Sequence, residues 1–233
     1  MRAEPARLNS AIAWLFVLGT SCFALGTIPA YIDAVGGTAD AMTFFIGSIF
    51  FTSASYCQLV QAQSPEMTEV DEQHQHARVR ALPWAWRPRD KDWLAAATQF
   101  PGTLFFNHST FAALAHNLSA AEADKMVWRP DFFGSVLFLV SSAFAISALG
   151  VGFRRPRLRD LPWWIAWLNM LGSVAFMVSA IASFIVPSTG TVLDLPLDNA
   201  GTVLGAVCFL VGAALMLPAW RAEVRSRSGH PTK

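Results

Sequence analysis

The strongest constraint in this 233-residue chain is where it carries no charge. Six stretches, Ala11–Ile32, Ala41–Ala62, Trp93–Leu118, Phe132–Gly152, Leu161–Pro187 and Asn199–Trp220, each run for 21 residues or more without an Asp, Glu, Lys or Arg. A hydrocarbon core of about 30 Å is crossed by roughly 20 helical residues at about 1.5 Å each, so every stretch has the length of a span. In a water-soluble domain all six would have to be core helices. Charged residues make up only 14% of the chain, against about 25% in soluble domains, which leaves too little polar sequence to cover such a core. The sequence therefore predicts an all-α membrane protein: a single integral domain over residues 1–233 containing a six-transmembrane-helix bundle, with helices at about 11–32, 41–62, 93–118, 132–152, 161–187 and 199–220. Arg2 and Arg7 precede the first stretch as in a signal peptide, but its apolar run is too long for such a core and reads as a retained helix.

Basic residues orient the spans. Arg2 and Arg7, then Arg78, Arg80, Arg87, Arg89 and Lys91 in the long loop 63–92, lie on one side of a six-span chain. Arg154, Arg155, Arg157 and Arg159, and in the tail Arg221, Arg225, Arg227 and Lys233, lie on the same side. Only Lys125 and Arg129 fall opposite, beside Glu122 and Asp124. The positive-inside rule places both termini and the loop 63–92 in the cytoplasm. Trp84, Trp86, Trp93, Trp163, Trp164 and Trp220 gather at the same helix ends, as an interfacial aromatic belt would. Topology accounts for the basic loops, so no nucleic-acid partner is expected; the partners are the lipid bilayer and other membrane proteins.

The stretches also share a pattern. Aligned on Gly19, Gly47, Gly102, Gly134, Gly172 and Gly205, the next residue is small (Thr20, Ser48, Thr103, Ser135, Ser173, Ala206). Four after the glycine stands Phe23, Phe51, Phe106, Phe138, Phe176 or Phe209. Seven and eight after it the residues are again small, from Gly26 and Thr27 to Gly212 and Ala213. At 100° per residue these positions share one helix face, and in lipid, where association gains nothing hydrophobic, helices meet through such faces. Bundle packing is the preferred reading of this face over a permeation path lined by small residues. A second signal joins the third and fifth stretches. Arg89-Asp90-x-x-Trp93 precedes Gly102 as Arg159-Asp160-x-x-Trp163 precedes Gly172, and Gln99 and Asn169 each stand three residues before their glycine. The arrangement expected is an internal repeat of three helical hairpins in parallel; two inverted three-helix halves are the alternative.

The segments "FFIGSIFFTSAS", "FFGSVLFLVSS" and "LNMLGSVAFM" resemble the paired helices of YrhK-type domains of uncharacterised bacterial multi-pass membrane proteins. The resemblance covers the helices, about half of the chain. It implies a bacterial cytoplasmic (cell) membrane setting and brings no known reaction or ligand.

Chemistry-bearing motifs are sparse. Cys22, Cys57 and Cys208 stand singly in different stretches, without C-x-x-C spacing, and read as small apolar residues. No nucleophile elbow, phosphate loop or zinc-helix motif occurs, and no Asp, Glu, Lys or Arg lies within a stretch to couple ions. Asp71, Glu72, His74 and His76 form a short acidic loop that reads as solvated rather than metal-binding. No catalytic residue, metal site or cofactor is expected, and the chain is not expected to be an enzyme.

The third stretch departs from this pattern. It holds Gln99, Pro101, Thr103, Asn107, His108, Thr110 and His116. Pro101 removes a backbone donor and predicts a kink. With polar groups on two sides, the helix is expected inside the bundle, with Gln99 facing Asn169 and His108 touching another helix. Gln99, Asn107, His108 and Asn169 are the candidate intramembrane polar cluster. His116 is too far along to join His108 as a haem ligand. Two roles follow: a scaffold or accessory membrane subunit, or, as the alternative, a facilitator of an uncharged small solute along a polar route lined by the third and fifth helices.

Overall fold

Proline opens the chain's first helices. α1 (Pro5–Gly26) and α2 (Pro29–Val35) each begin with proline in the first turn, where its missing N–H forfeits no bond. Because Pro29 cannot continue α1, the helix expected to reach residue 32 ends at Gly26 instead. Gly36, at φ 81°, then reverses the chain into α3 (Gly37–Ala62). The computed structural model describes residues 2–115, 117–150, 157–186 and 188–228. Over these it continues with a short α4 (Pro65–Thr68), α5 (Lys91–Ala112) and α6 (Ala120–Ala123). A π turn (Asp124–Trp128) leads into α7 (Arg129–Ala148), followed by α8 (Leu161–Ala182) and α9 (Leu195–Ser228). Two small antiparallel pairs complete it, β1 (Arg2–Ala3) with β2 (Val79–Arg80) and β3 (Ile185–Val186) with β4 (Thr191–Val192).

The recurring Arg-Asp-x-x-Trp marks two helix starts. Asp90 caps α5, accepting from the backbone N–H of Asp92 and Trp93 at 3.1 and 3.2 Å, and Asp160 stands at the same place before α8. Each aspartate pairs with an arginine three residues earlier, Arg87 at 3.5 Å and Arg157 at 3.7 Å. α5 ends at Ala112, short of the expected residue 118, and runs through Pro101 as one helix.

The six long helices pack as three hairpins, α1 with α3, α5 with α7 and α8 with α9. Neighbouring hairpins meet along α3–α5, α7–α8 and α9–α1, which closes a ring. The aligned glycines lie where the helices of each hairpin cross. A Cβ on Gly19 would lie 2.9 Å from the Gly47 carbonyl oxygen, one on Gly134 3.1 Å from that of Gly102, and one on Gly205 3.1 Å from that of Gly172. Only glycine allows the backbones this close. The small residues one and eight places on form the seams between hairpins. The Ser48 and Thr110 hydroxyls meet at 2.9 Å across α3–α5, and those of Ser142 and Ser173 at 2.9 Å across α7–α8. In the α9–α1 seam α9 carries buried Ala206 and Ala213 at these positions, and close packing alone serves.

The six phenylalanines fill the axis. Phe51, Phe138 and Phe209 form a triangle with ring centroids 5.7, 5.7 and 5.8 Å apart. Phe106 and Phe176 lie 6.1 Å apart, and Phe23 and Phe176 6.5 Å apart. Within each hairpin the two rings touch, at 6.2, 5.1 and 5.4 Å. Most contacts are edge-on or tilted, which the ring quadrupole favours.

Outside, the bundle is apolar: Leu18, Ile46, Leu171, Ile181 and Leu204 all point outward. Small residues inside and large aliphatics outside invert the pattern of a soluble domain. α1, α3, the continuous helix Ala120–Ala148, α8 and α9 are long and apolar enough to cross a membrane. α5 has the length, at 22 residues, but Asp92, Gln99, Asn107 and His108 lower its apolar character. The chain is thus an all-α integral membrane protein, with five rather than six helices that qualify by length and composition.

One end of the ring is capped by residues 63–92. Fully buried Gln63 donates to the Leu82 carbonyl at 2.6 Å and accepts from the Ala85 N–H at 3.1 Å. Ser64 accepts from the Leu82 N–H at 2.8 Å, and Arg227 at the end of α9 donates to the Thr68 carbonyl at 2.7 Å.

Candidate functional site

Cavities with polar side chains in their walls lie on either side of the phenylalanine cluster along the bundle axis. Towards the end formed by α2, α6 and β3–β4 lies an outer cavity of about 400 Å³, floored by five of the six phenylalanines. Towards the capped end, a small cavity of about 50 Å³ lies under Phe16 and Phe209, next to an inner cavity of about 530 Å³. The residue three before each aligned glycine lines one of these spaces. Phe16, Gln99 and Asn169, on helices that start at the capped end, line the small cavity. Phe44, Asp131 and Thr202, on helices of opposite direction, line the outer one.

Gln99 and Asn169 therefore share a cavity, together with Gln58. The expected direct amide pair is absent: Gln99 accepts instead from the Ser141 hydroxyl at 3.4 Å, and the Asn169 amide oxygen packs against Gly212. Asn107 and His108 lie away from both. Asn107 is half-buried, and its amide oxygen has no donor among the described residues. His108 is exposed on the outside of the bundle, which corrects the expectation that both polar sides of this helix are enclosed. The reason is angular: six residues past Gly102 it points away from the face that Gly102, Thr103, Phe106 and Ser109 present to the interior, so a polar residue there did not require enclosure. His116 lies outside the described residues.

Four further polar residues line the axis. Asn9 and Gln58 line the inner cavity, the Asn9 amide nitrogen and the Gln58 amide oxygen buried without partners among the described residues. Asp131 and Asp198 line the outer cavity. The uncharged stretches begin at Phe132 and Asn199, each one residue after an aspartate, so both Asp131 and Asp198 fall outside the expected spans. The signal that could have found Asp131 was its position three before Gly134, the position Gln99 and Asn169 hold before their own glycines. The π turn before Pro130 widens the helix where Pro130 lacks its N–H, and Trp128 within it donates to the Ala180 carbonyl at 2.7 Å, tying α7 to α8 at the cavity wall.

Beyond the bundle, the backbone N–H and ring of His74 both engage Asp71, the ring at 2.7 Å, and hold its carboxyl below the usual carboxylate range. Among the described residues no three His, Cys, Asp or Glu side chains converge as a metal would require, and Cys22, Cys57 and Cys208 are free. Comparison with protein-family models, with curated proteins and with solved structures found no match.

Proposed function

We propose that this integral membrane protein is a facilitator for a small solute, in a form closed by the phenylalanine cluster. The observation that carries the reading is the pair of cavities on one axis, each with polar side chains in its wall, on either side of the phenylalanine cluster. A hydrophobic constriction between wetted vestibules is a known means of gating. These cavities favour the facilitator over a scaffold or accessory subunit, and the route runs between all three hairpins rather than only the third and fifth helices. The reading is of a non-enzymatic protein whose partners are the bilayer and other membrane proteins, with no nucleic acid. The Gly-Ser-x-x-Phe motifs at Gly47, Gly134 and Gly172 support kinship with YrhK-type domains in a bacterial cell membrane, and the glycine crossings support a threefold hairpin repeat.

The polar α5, packed between α3 and α7 in the ring, is taken as the sixth span. Both termini are taken as cytoplasmic, because Arg2, Arg80 and Arg227 gather at the capped end. A reporter inserted at Gln73 is expected to read cytoplasmic and one at Gly190 external; the same side for both would remove the six-span topology. For the function itself, purified protein in vesicles is expected to admit glycerol, urea or choline faster than protein-free vesicles. Rates equal to protein-free vesicles for all three solutes, in this chain and in a variant with the cluster opened, would return the scaffold reading.

A further inference from the structure

We infer that the outer cavity is a binding site for a small organic ammonium ion, its charged head at Asp131 and Asp198 and its alkyl groups against the aromatic floor. This rests on reading the cavity as a solute vestibule and goes beyond the uncharged solute expected from sequence.

The first observation is uncompensated charge. Asp131 and Asp198 line one cavity, and no Lys, Arg or His does so among the described residues. Arg129, the nearest basic residue in sequence, is held by Asp124 at 2.8 Å. Asp198 sits in the first turn of α9 and accepts from the Ser179 hydroxyl at 2.6 Å, so the helix start accounts for part of its retention. Asp131 has no such account. It stands third in α7, but the π turn and helix before it run directly into α7 rather than leaving a free helix start, and among the described residues no donor reaches its carboxylate. A carboxyl placed in an apolar surround without a partner must take up a proton or a cation, and with Asp198 on the same wall one cation can serve both acids.

The second observation is independent of the acids. Ser109 is 5% exposed, lines the same cavity, and its hydroxyl has no hydrogen-bond partner among the described residues. A buried hydroxyl on the cavity wall with no protein partner is available to a guest in the cavity. The third is the wall chemistry. The cavity is mostly apolar, with the faces and edges of Phe44, Phe106, Phe176 and Trp128 about it. An inorganic cation stripped of its water would want oxygen ligands all round, whereas an alkylammonium ion gains from carboxylates and aromatic faces together. A volume of about 400 Å³ suits a small molecule.

The approach is also negatively charged. At this end Asp33, Asp40, Glu122, Asp124 and Asp194 join the two cavity acids, against Lys125 and Arg129 alone. Such a field concentrates cations at the mouth.

The test is calorimetric titration of the detergent-solubilised chain with choline, and with its neutral carbon analogue in which carbon replaces the ammonium nitrogen. Choline is expected to bind at least about tenfold more tightly than the analogue, because the two differ only in charge. Asp131→Asn and Asp198→Asn are each expected to weaken choline about tenfold or more, while Glu72→Gln, exposed at the opposite, capped end, leaves it unchanged. Equal binding of choline and its analogue, no choline binding at all, or undiminished affinity in a folded Asp131→Asn protein would overturn the site. The comparison of the two ligands on the unaltered chain stands even if both aspartate variants misfold. Binding without flux in vesicles would uphold this site and remove the facilitator; flux of glycerol without choline binding would do the reverse.

Discussion

Gly19→Leu is expected to abolish assembly of the bundle. The new Cβ would lie 2.9 Å from the Gly47 carbonyl oxygen and 3.0 Å from the Phe51 nitrogen, both backbone atoms, so no side-chain rotation relieves it. Overpacking of well-packed interiors typically costs about 1–3 kcal/mol where neighbours can shift, and here the whole α1–α3 crossing must open, so the cost should exceed about 3 kcal/mol. The comparison is Val174→Leu, which enlarges an outward-facing residue of α8 and should change stability by less than about 0.5 kcal/mol. Unfolding followed by denaturant titration in detergent measures both. Equal tolerance at the two sites would leave the crossing geometry without energetic support.

Phe138→Ala is expected to open the axis. The ring is 2% exposed and lies 5.7, 5.1 and 5.8 Å from those of Phe51, Phe106 and Phe209, so its removal leaves a void between the outer and inner spaces. In water-soluble cores such a truncation costs about 3–5 kcal/mol, part of it transfer of the side chain from water. In lipid that part is missing, since the separated helix already lies in hydrocarbon, and only lost packing remains. The variant should therefore fold, with reduced stability. Its solute flux in vesicles should rise by about tenfold, which corresponds to about 1.4 kcal/mol off the barrier. Flux unchanged from the parent chain would mean that the six rings are packing and not a gate.

How much of this was legible in the sequence follows from periodicity. A face made of glycine, small residues and phenylalanine at fixed helical offsets depends only on 100° per residue, so the interior face of every long helix could be assigned without coordinates. The same arithmetic does not extend to His108: a second polar side is not a second buried side, and a single histidine can sit on the outside of a less apolar helix such as α5. Helix ends were the other weak point. Pro29 stops α1 early, and α9 continues past the apolar stretch because its polar last turns dock onto residues 63–92 through Arg227 and Ser228.

What the sequence determined alone was composition and local geometry: long uncharged helices, a shared small-residue face, and a basic end and an acidic end. Those properties need only neighbours along the chain. Only the tertiary structure decided that six such faces close into a ring, and that closure turns six separate phenylalanines into one cluster and residues three before each glycine into the walls of two cavities. Asp131 and Asp198 stand 67 positions apart in sequence. They share a cavity because α7 packs on α8 and α8 on α9, a relation between helices that no local spacing records.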